Sequence, residues 1–547
     1  MAFQTLSSAA PRLVRPAIGS VTLSVIVAVY LVFLTNRTFW AKAIDYLGIP
    51  SFAMVSMGIG LLALFSAVCI AVSVKYLTKP LFILMVMAAA VSSRFMDHFG
   101  TIIDVDMIRN AAETTGSEAG HLLTVGFVTD VAIFGIVPSL LIAVVRIQHR
   151  PFGQKFRWNL ALVLSCLAVF IAVGLANVRT LAATTREHRD LMETLNPVAP
   201  IVSAVRYVMA SGAEENLVVQ PLGTDAHVVG PTASGKPRVT IIVAGETARA
   251  ENFSLNGYGR MTNPKLAARG VRYFSDTSSC GTATAVSLPC MFSVYTRAGY
   301  THQKAMETEN LLDVLGHAGV RTEWWDNNTG SKGIASRTAY TSFSDINDPR
   351  FCTNHECIDA VHLDRLGSWL DNVKGDSVLV VHQIGSHGPG YYQRYPDAFR
   401  RFTPDCRTPE LGNCSHDEIV NAYDNTILYT DHVLSEIIDM LKARQGKMAG
   451  AMLYMSDHGE SLGEHGLYLH GAPYFIAPSQ QTHVPFVLWQ SPEARTGIDA
   501  ACLNAKTSEP QSHDNLFHTV LGMMNIATKA YDPALDVLAS CRGNAAS

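Results

Sequence analysis

Ala449-Gly450-Ala451-Met452-Leu453-Tyr454-Met455-Ser456-Asp457-His458-Gly459-Glu460-Ser461 is an apolar run that ends abruptly in a carboxylate and an imidazole. Its length and composition are those of a buried strand. A strand that is apolar on both faces belongs in a parallel sheet covered by helices on both sides. In such sheets, ligands and catalytic groups collect beyond the carboxyl ends of the strands. Asp457 and His458 at that position are oxygen and nitrogen donors suited to zinc. The same pair also fits an ordinary surface turn, so the rest of the chain has to decide.

Working outward, the pattern recurs. Residues 238–247 form a second apolar run, ending in Glu246. Shorter runs at 322–325, 377–381 and 485–488 read as further strands, with helical patterns at 309–317 and 423–444 between them. Strands alternating with helices predict an α/β domain whose central sheet is mostly parallel and sandwiched by helices. Several polar groups follow the expected strand tips: Glu246; Asp457 and His458; His382; and Ser386-His387-Gly388-Pro389. Two more flank them: Lys332 after Asn327-Asn328-Thr329-Gly330-Ser331, and His470 in Tyr468-Leu469-His470-Gly471. A lone histidine is more often structural than a ligand, and a lone lysine is usually solvated. Their joint position just beyond apolar runs is what carries weight.

The first third of the chain is different in kind. The whole sequence has 547 residues, 42 basic against 46 acidic, and an apolar share of 48%. The charge balance gives no electrostatic footprint for nucleic acid. The apolar excess lies before about residue 177, in five stretches that approach the length of a membrane span: 18–34, 51–74, 80–93, 122–145 and 159–178. The third is the weakest of the five, because Arg94 and Asp97 follow it closely. Arg12 and Arg15 precede the first span, Lys75 and Lys79 separate the second and third, and Arg146, Arg150, Lys155 and Arg157 separate the fourth and fifth. The positive-inside rule makes these the cytoplasmic sides. The acidic loop with Asp97, Asp104, Asp106, Glu113 and Glu118 then faces the other way, and so does everything after the fifth span. The expected domains are a five-helix membrane domain at 1–178, a connector with membrane-surface helices at 179–236, and an outer catalytic domain at 237–547.

Cysteine usage agrees with this placement. Of ten cysteines, Cys69 and Cys166 lie in apolar spans and read as free thiols. The other eight follow the last span, and an even number in an oxidising compartment reads as disulfides. Cys280 with Cys290, Cys352 with Cys357, and Cys406 with Cys414 are close pairs, which leaves Cys502 for Cys541. The first pair brackets Gly281-Thr282-Ala283-Thr284-Ala285-Val286-Ser287-Leu288-Pro289, a segment rich in small and hydroxyl residues. A hydroxyl needs a metal or base to become a nucleophile. At the start of a helix it also meets backbone N–H groups that favour an anion. That combination suits phosphoryl or sulfuryl transfer.

On these motifs the outer domain resembles the alkaline phosphatase and sulfatase superfamily. Cys280-Gly-Thr-Ala-Thr-Ala, Asn327-Asn328, Ser386-His387-Gly388-Pro389, Asn421-Ala422-Tyr423-Asp424-Asn425 and Ser456-Asp457-His458-Gly459-Glu460-Ser461-Leu462-Gly463-Glu464 carry the likeness further. Through them the whole chain resembles the lipid A phosphoethanolamine transferases, including the mobile colistin-resistance enzymes. The sulfatase precursor pattern, Cys or Ser followed by x-Pro-x-Arg, is absent around Cys280.

The resemblance implies Thr284 as nucleophile and Glu246, Thr284, Asp457 and His458 as ligands of a tightly bound zinc, with a second zinc as an option. It implies a substrate-phosphate region at Lys332, His387 and His470, where a histidine acts as general acid or base, and Asn328 near the ethanolamine phosphate. It places Asn110, Thr114 and Glu118 toward the phospholipid headgroup. The implied donor is phosphatidylethanolamine and the implied acceptor lipid A, in the bacterial inner membrane with the catalytic domain in the periplasm and the protein as a monomer. Core sugars of lipopolysaccharide, another glycan, or transfer of phosphoglycerol by the same mechanism are the competing expectations.

Overall fold

The computed structural model describes residues 16–48, 51–148, 150–188, 190–214, 217–232, 234–353 and 355–543. Arg12 and Arg15, used in the charge argument, lie outside the described residues. The chain forms two compact units, one from Met1–Asp97 with Val125–Val202 and one from His98–Thr124 with Ser203–Ser547.

The first unit holds four helices long and apolar enough to cross a membrane: Phe52–Ala71, Thr78–Phe99, Val125–Val144 and Phe152–Ala176. A fifth apolar stretch is a bent pair, Ser20–Leu34 and Arg37–Leu47, with a 64° break. A break in an apolar setting frees backbone groups that must find partners inside the protein. Here Asn36 and Asn196 supply them. The Asn36 amide donates to the carbonyls of Leu31 and Asn196, both at 2.7 Å, and accepts from the Asn196 N–H at 2.8 Å. Asn196 in turn donates to the carbonyls of Thr35 and Ala89.

The helix expected over 80–93 instead runs from Thr78 to Phe99 and takes in both charges that weakened its reading as a span. Arg94 pairs with Asp130 at 2.6 Å, and Asp97 accepts from the backbone and hydroxyl of Thr38 at 3.1 and 2.6 Å. Each charge is matched from a neighbouring helix, so neither ends the span.

In the second unit seven strands form one sheet: β1 (Arg238–Gly245), β2 (Arg272–Phe274), β3 (Arg321–Asp326), β4 (Ala339–Ser342), β5 (Ser377–His382), β6 (Ala449–Ser456) and β7 (Phe486–Gln490). Their spatial order is β2-β7-β6-β1-β5-β3-β4. The pairs β6–β1, β1–β5, β5–β3 and β3–β4 are parallel, while β7 runs antiparallel to both neighbours. The expected mostly parallel sheet is present. Alternation along β1 divides two cores. Val239, Ile241 and Val243 pack on the side of the helix His416–Lys442, and Ile242 and Ala244 on the side of the helices Thr284–Phe292 and Asp514–Met523. Burial on both faces explains why these strands read as unbroken apolar runs.

The short edge strands β2 and β4 were not marked by the sequence. The expected connector also carries a strand near its end. His227–Val228 pairs with Ile526–Ala527, and Asp225 accepts from the Thr528 hydroxyl at 2.7 Å and the Lys529 N–H at 2.9 Å.

Candidate active site

Register puts the polar groups on one edge. Gly245 pairs with Ser456, Ala244 with His382, and His382 with Asp326, so β1, β6, β5 and β3 end level with one another. Glu246 and Asp457 each follow a strand by one residue. The chain beyond β5 folds onto Glu246, with the Ser386 N–H donating to its carbonyl at 3.0 Å. That approach requires glycine at 385, where φ is +51° and a Cβ would stand 2.5 Å from the Glu246 carbonyl oxygen. Strain gathers here. Thr247, Lys332 and Leu469 adopt φ of 58°, 49° and 62°, and each adjoins or is a candidate site residue. A β-branched threonine in that region is a conformational outlier that surrounding structure has to hold.

Glu246, Asp457 and His458 are fully buried and bring one donor atom each within 4.8 Å of the others. His458 Nε2 lies 3.4 Å from Glu246 Oε1 and 3.4 Å from Asp457 Oδ2. Its Nδ1 donates to the Gly459 carbonyl at 2.8 Å, which leaves the Nε2 lone pair facing the carboxylates. Such an outer partner fixes the tautomer a ligand needs. The Thr284 hydroxyl donates to Glu246 Oε2 at 3.1 Å and stands 3.3 Å from His458 Nε2. Burial would raise Glu246, but the nearby His458, His387 and His470 draw it down to about 2. Burial and the Glu246 charge push Asp457 up to about 6. Two buried carboxylates at this separation want a cation between them.

Thr284 is the first residue of the helix Thr284–Phe292, whose N-cap, Ala283, provides no side-chain cap. The free N–H groups of that first turn favour an anion beside the hydroxyl. A disulfide between Cys280 and Cys290 closes the loop around it. The remaining pairs are Cys352–Cys357, Cys406–Cys414 and Cys502–Cys541, and Cys69 and Cys166 are free. Ser287, one turn on, donates its hydroxyl to the Asp457 carbonyl, and His513 donates to the Ser456 carbonyl at 2.9 Å while accepting from the Cys280 N–H at 3.1 Å. Burial holds His513 down at about 3, so it is a neutral strut between strand tip and the Thr284 loop.

A row of imidazoles leads away from the cluster. The His470 ring lies 4.5 Å from that of His458 and 5.3 Å from that of His387. His470 Nδ1 is 3.4 Å from Glu460, and His387 Nε2 is 3.1 Å from Glu118. Burial would lower His387, yet Glu118 lifts it to about 9; Glu460 likewise outweighs burial and raises His470. The Lys332 side chain is largely buried and meets Glu113 at 3.0 Å. Glu113 ends the helix Val105–Glu113 and Glu118 lies in the helix Gly116–Leu122, both part of the 98–124 segment. Asn110 and Thr114 sit on the same stretch, with the Thr114 hydroxyl donating to the Asn110 carbonyl at 2.8 Å. The Asn328 amide donates to Glu246 Oε2 at 2.7 Å and to the Gln383 carbonyl at 2.8 Å.

Several contributors had no sequence signal of their own. Glu113 was noted only as loop charge. Asp326 grips His382 at 2.8 Å, a pairing of two strand tips 56 residues apart. The Gln383 side chain is buried beside them with both polar atoms lacking a partner among the described residues.

The donor set fits a metal. Asp457 Oδ2 is buried with no hydrogen-bond partner among the described residues, and three donor atoms lie within 4.8 Å of one another with the Thr284 hydroxyl beside them. Two carboxylates, one imidazole and a hydroxyl are ligands of the kind that zinc accepts.

The comparisons with known proteins follow the same lines. The Sulfatase family model matches residues 238–526, and the model described as phosphoethanolamine transferase EptA/EptB matches residues 61–211. Fold and site therefore define a membrane-borne protein of the sulfatase-type α/β class. The chain is 37% identical over 539 residues to phosphoethanolamine transferase EptA of Salmonella typhimurium, covering 96% of this chain and 98% of that one. It is 36% identical over 532 residues to phosphatidylethanolamine transferase Mcr-1 of Escherichia coli, covering 94% and 96%. The solved structure of the integral membrane lipooligosaccharide phosphoethanolamine transferase A of Neisseria meningitidis superimposes with a TM-score of 0.93 at 36% identity, over 96% of this chain and 100% of that chain. The chain belongs to the phosphoethanolamine transferase family and is a multi-pass membrane protein.

Proposed function

We propose that this protein transfers phosphoethanolamine from phosphatidylethanolamine to lipid A by way of a phosphoethanolamine ester on Thr284. The observation that carries the reading is the Thr284 hydroxyl, 3.1 Å from Glu246 and 3.3 Å from His458 Nε2 at the uncapped start of a helix. Glu246, Asp457, His458 and Thr284 would hold zinc, which when bound lowers the pKa of a hydroxyl and offsets phosphoryl charge.

Thr284 Oγ1 passes its proton along its hydrogen bond to Glu246 Oε2 and forms a bond to phosphorus, and the bond from phosphorus to the glycerol oxygen breaks, releasing diacylglycerol. His387 or His470, both held on the charged side by carboxylates, provides the proton for that leaving oxygen. A phosphate oxygen of lipid A then attacks the same phosphorus and Thr284 leaves, taking its proton back from Glu246. Lys332 and the helix N–H groups offset charge on the non-bridging oxygens. Asn328 holds Glu246 in place, and Asn110, Thr114 and Glu118 lie toward the incoming headgroup. Donor and acceptor are both lipids, which is what a membrane domain in the same chain serves. The catalytic unit works in the periplasm, from the inner membrane, as a monomer, since one chain carries every group named. Added amines lower the negative charge of the outer surface and weaken binding of polymyxin and other cationic peptides.

Mass spectrometry of lipid A from cells expressing the protein tests this. Cells with the wild type should carry the added phosphoethanolamine mass, and Thr284→Ala should abolish it. Full modification by that variant removes Thr284 as the nucleophile, and a mass gain on core sugars instead of lipid A replaces the acceptor.

A further inference from the structure

Two carboxylate–imidazole pairs of opposite polarity join the helix Gly116–Leu122 to the rest of its compact unit. Glu118 meets His387 Nε2 at 3.1 Å. Three residues on, His121 Nε2 donates to Glu356 Oε2 at 2.8 Å. Residues three apart share a helix face, so both pairs form on the docked side. The same Glu356 oxygen accepts from Arg394 Nη1 at 3.0 Å, and Arg394 Nε donates to the His387 carbonyl at 2.9 Å. The contacts close a circuit that runs from the helix through the His387 side chain and carbonyl to Arg394, then through Glu356 and His121 back to the helix. Glu356 belongs to a hairpin, Cys352–Thr353 with Glu356–Cys357, that a disulfide pins.

The helix has seven residues, too few to be stable alone in water, so what it docks on decides its place. Glu118 is held at one oxygen, since its Oε2 is buried with no hydrogen-bond partner among the described residues. The Arg394 side chain is 2% exposed, and a cation buried so deeply needs its acid. Burial would raise Glu356, but His121 and Arg394 hold it at about 2, so it is a carboxylate at neutral pH.

We propose that His121, Glu356 and Arg394 are positioning residues for the transfer reaction, docking the helix Gly116–Leu122 so that Glu118 stays on His387 and His387 keeps a proton to give. This rests on the proposed function, in which His387 or His470 protonates the leaving oxygen. Glu356 acts on His387 twice in the same direction. It fixes the helix that brings the Glu118 charge, and it offsets the Arg394 charge, which opposes a proton on His387. The other groups facing His387 are Glu246, beyond the end of β1, which favours the proton, and His470, whose ring is 5.3 Å away and opposes it when charged.

The kcat/KM for diacylglycerol release from phosphatidylethanolamine, with lipid A as acceptor and the full-length protein, reads the effect from about pH 6 to about pH 10. Glu356→Gln keeps the shape and loses the charge, and should move the alkaline fall in rate down by about one pH unit or more. His121→Leu should move it the same way, while His121→Gln, which keeps an N–H donor, should follow the wild type. Hydrogen exchange reads the docking without reference to catalysis. Residues 116–122 should exchange faster in Glu356→Gln and His121→Leu, with the central sheet unchanged. An alkaline fall that stays in place while rates drop equally at every pH gives these residues a structural role only and overturns the proposal. So does a wild type whose rate does not fall at alkaline pH, and so does unchanged exchange of 116–122 in His121→Leu. A wild type that releases no diacylglycerol refutes the proposed function instead, and exchange still decides the docking.

Discussion

At Glu118 and His387 two residues from distant parts of the chain set each other's charge. The folded value of His387, about 9, lies above its ordinary 6.5. A raised base contributes stability that is fully present below pH 6.5 and is lost as pH rises through about 9. Thermal melts of the metal-free protein should therefore decline over that window. Glu118→Gln should flatten the decline, removing a contribution on the order of 1–3 kcal/mol. Equal decline in both proteins would remove this pair as the cause. The same residues show what sequence could convey. Asp457, His458 and Glu246 were legible because each directly follows an apolar run of strand length. Glu118 rested on likeness alone, since its loop has no period or dense motif. Glu113 on Lys332 and Asp326 on His382 are products of folding, and no local pattern encodes a partner 56 or more residues away.

Among elements, the helix Thr284–Phe292 is the one most dependent on its surroundings. Nine residues are too few to be stable alone in water, and Pro289 lies inside it. The Cys280–Cys290 bridge, Ser287 and His513 hold its start against the tip of β6. Replacing both cysteines by serine should lower stability by about 2–3 kcal/mol, from loop closure across a separation of ten residues. Denaturant melts of the oxidised wild type and the double variant would measure it, and an unchanged midpoint would assign the fixing of the loop to Ser287 and His513. Elements also account for where the sequence reading fell short. The sheet's central strands are buried on both faces and announce themselves, whereas β2 and β4 are only three and four residues long at the edges. The third apolar helix outran its expected end because its charges are matched from other helices, a fact no single segment contains.

For the molecule as a whole, the metal cluster links ligand to fold. Without a cation, Glu246 and Asp457 are two buried carboxylates that oppose each other. A ligand that binds only the folded state stabilises it by about 2.7 kcal/mol at a hundred times its dissociation constant. Chelator should therefore lower the melting temperature of the full chain, and zinc should restore it. Asp457→Asn, which removes the repulsion and a ligand together, should melt above the chelated wild type and shift little with zinc. A wild type indifferent to chelator would refute the cluster as a metal site, and restoration by magnesium but not zinc would refute the identity of the ion.

The bridge across the Thr284 loop also reaches beyond stability. A disulfide forms in an oxidising compartment and is kept reduced in the cytosol. A chain inserted the wrong way round would leave Cys280 and Cys290 as thiols and the Thr284 loop unfastened. The bridge thus makes closure of the Thr284 loop conditional on the side of the membrane the loop reaches.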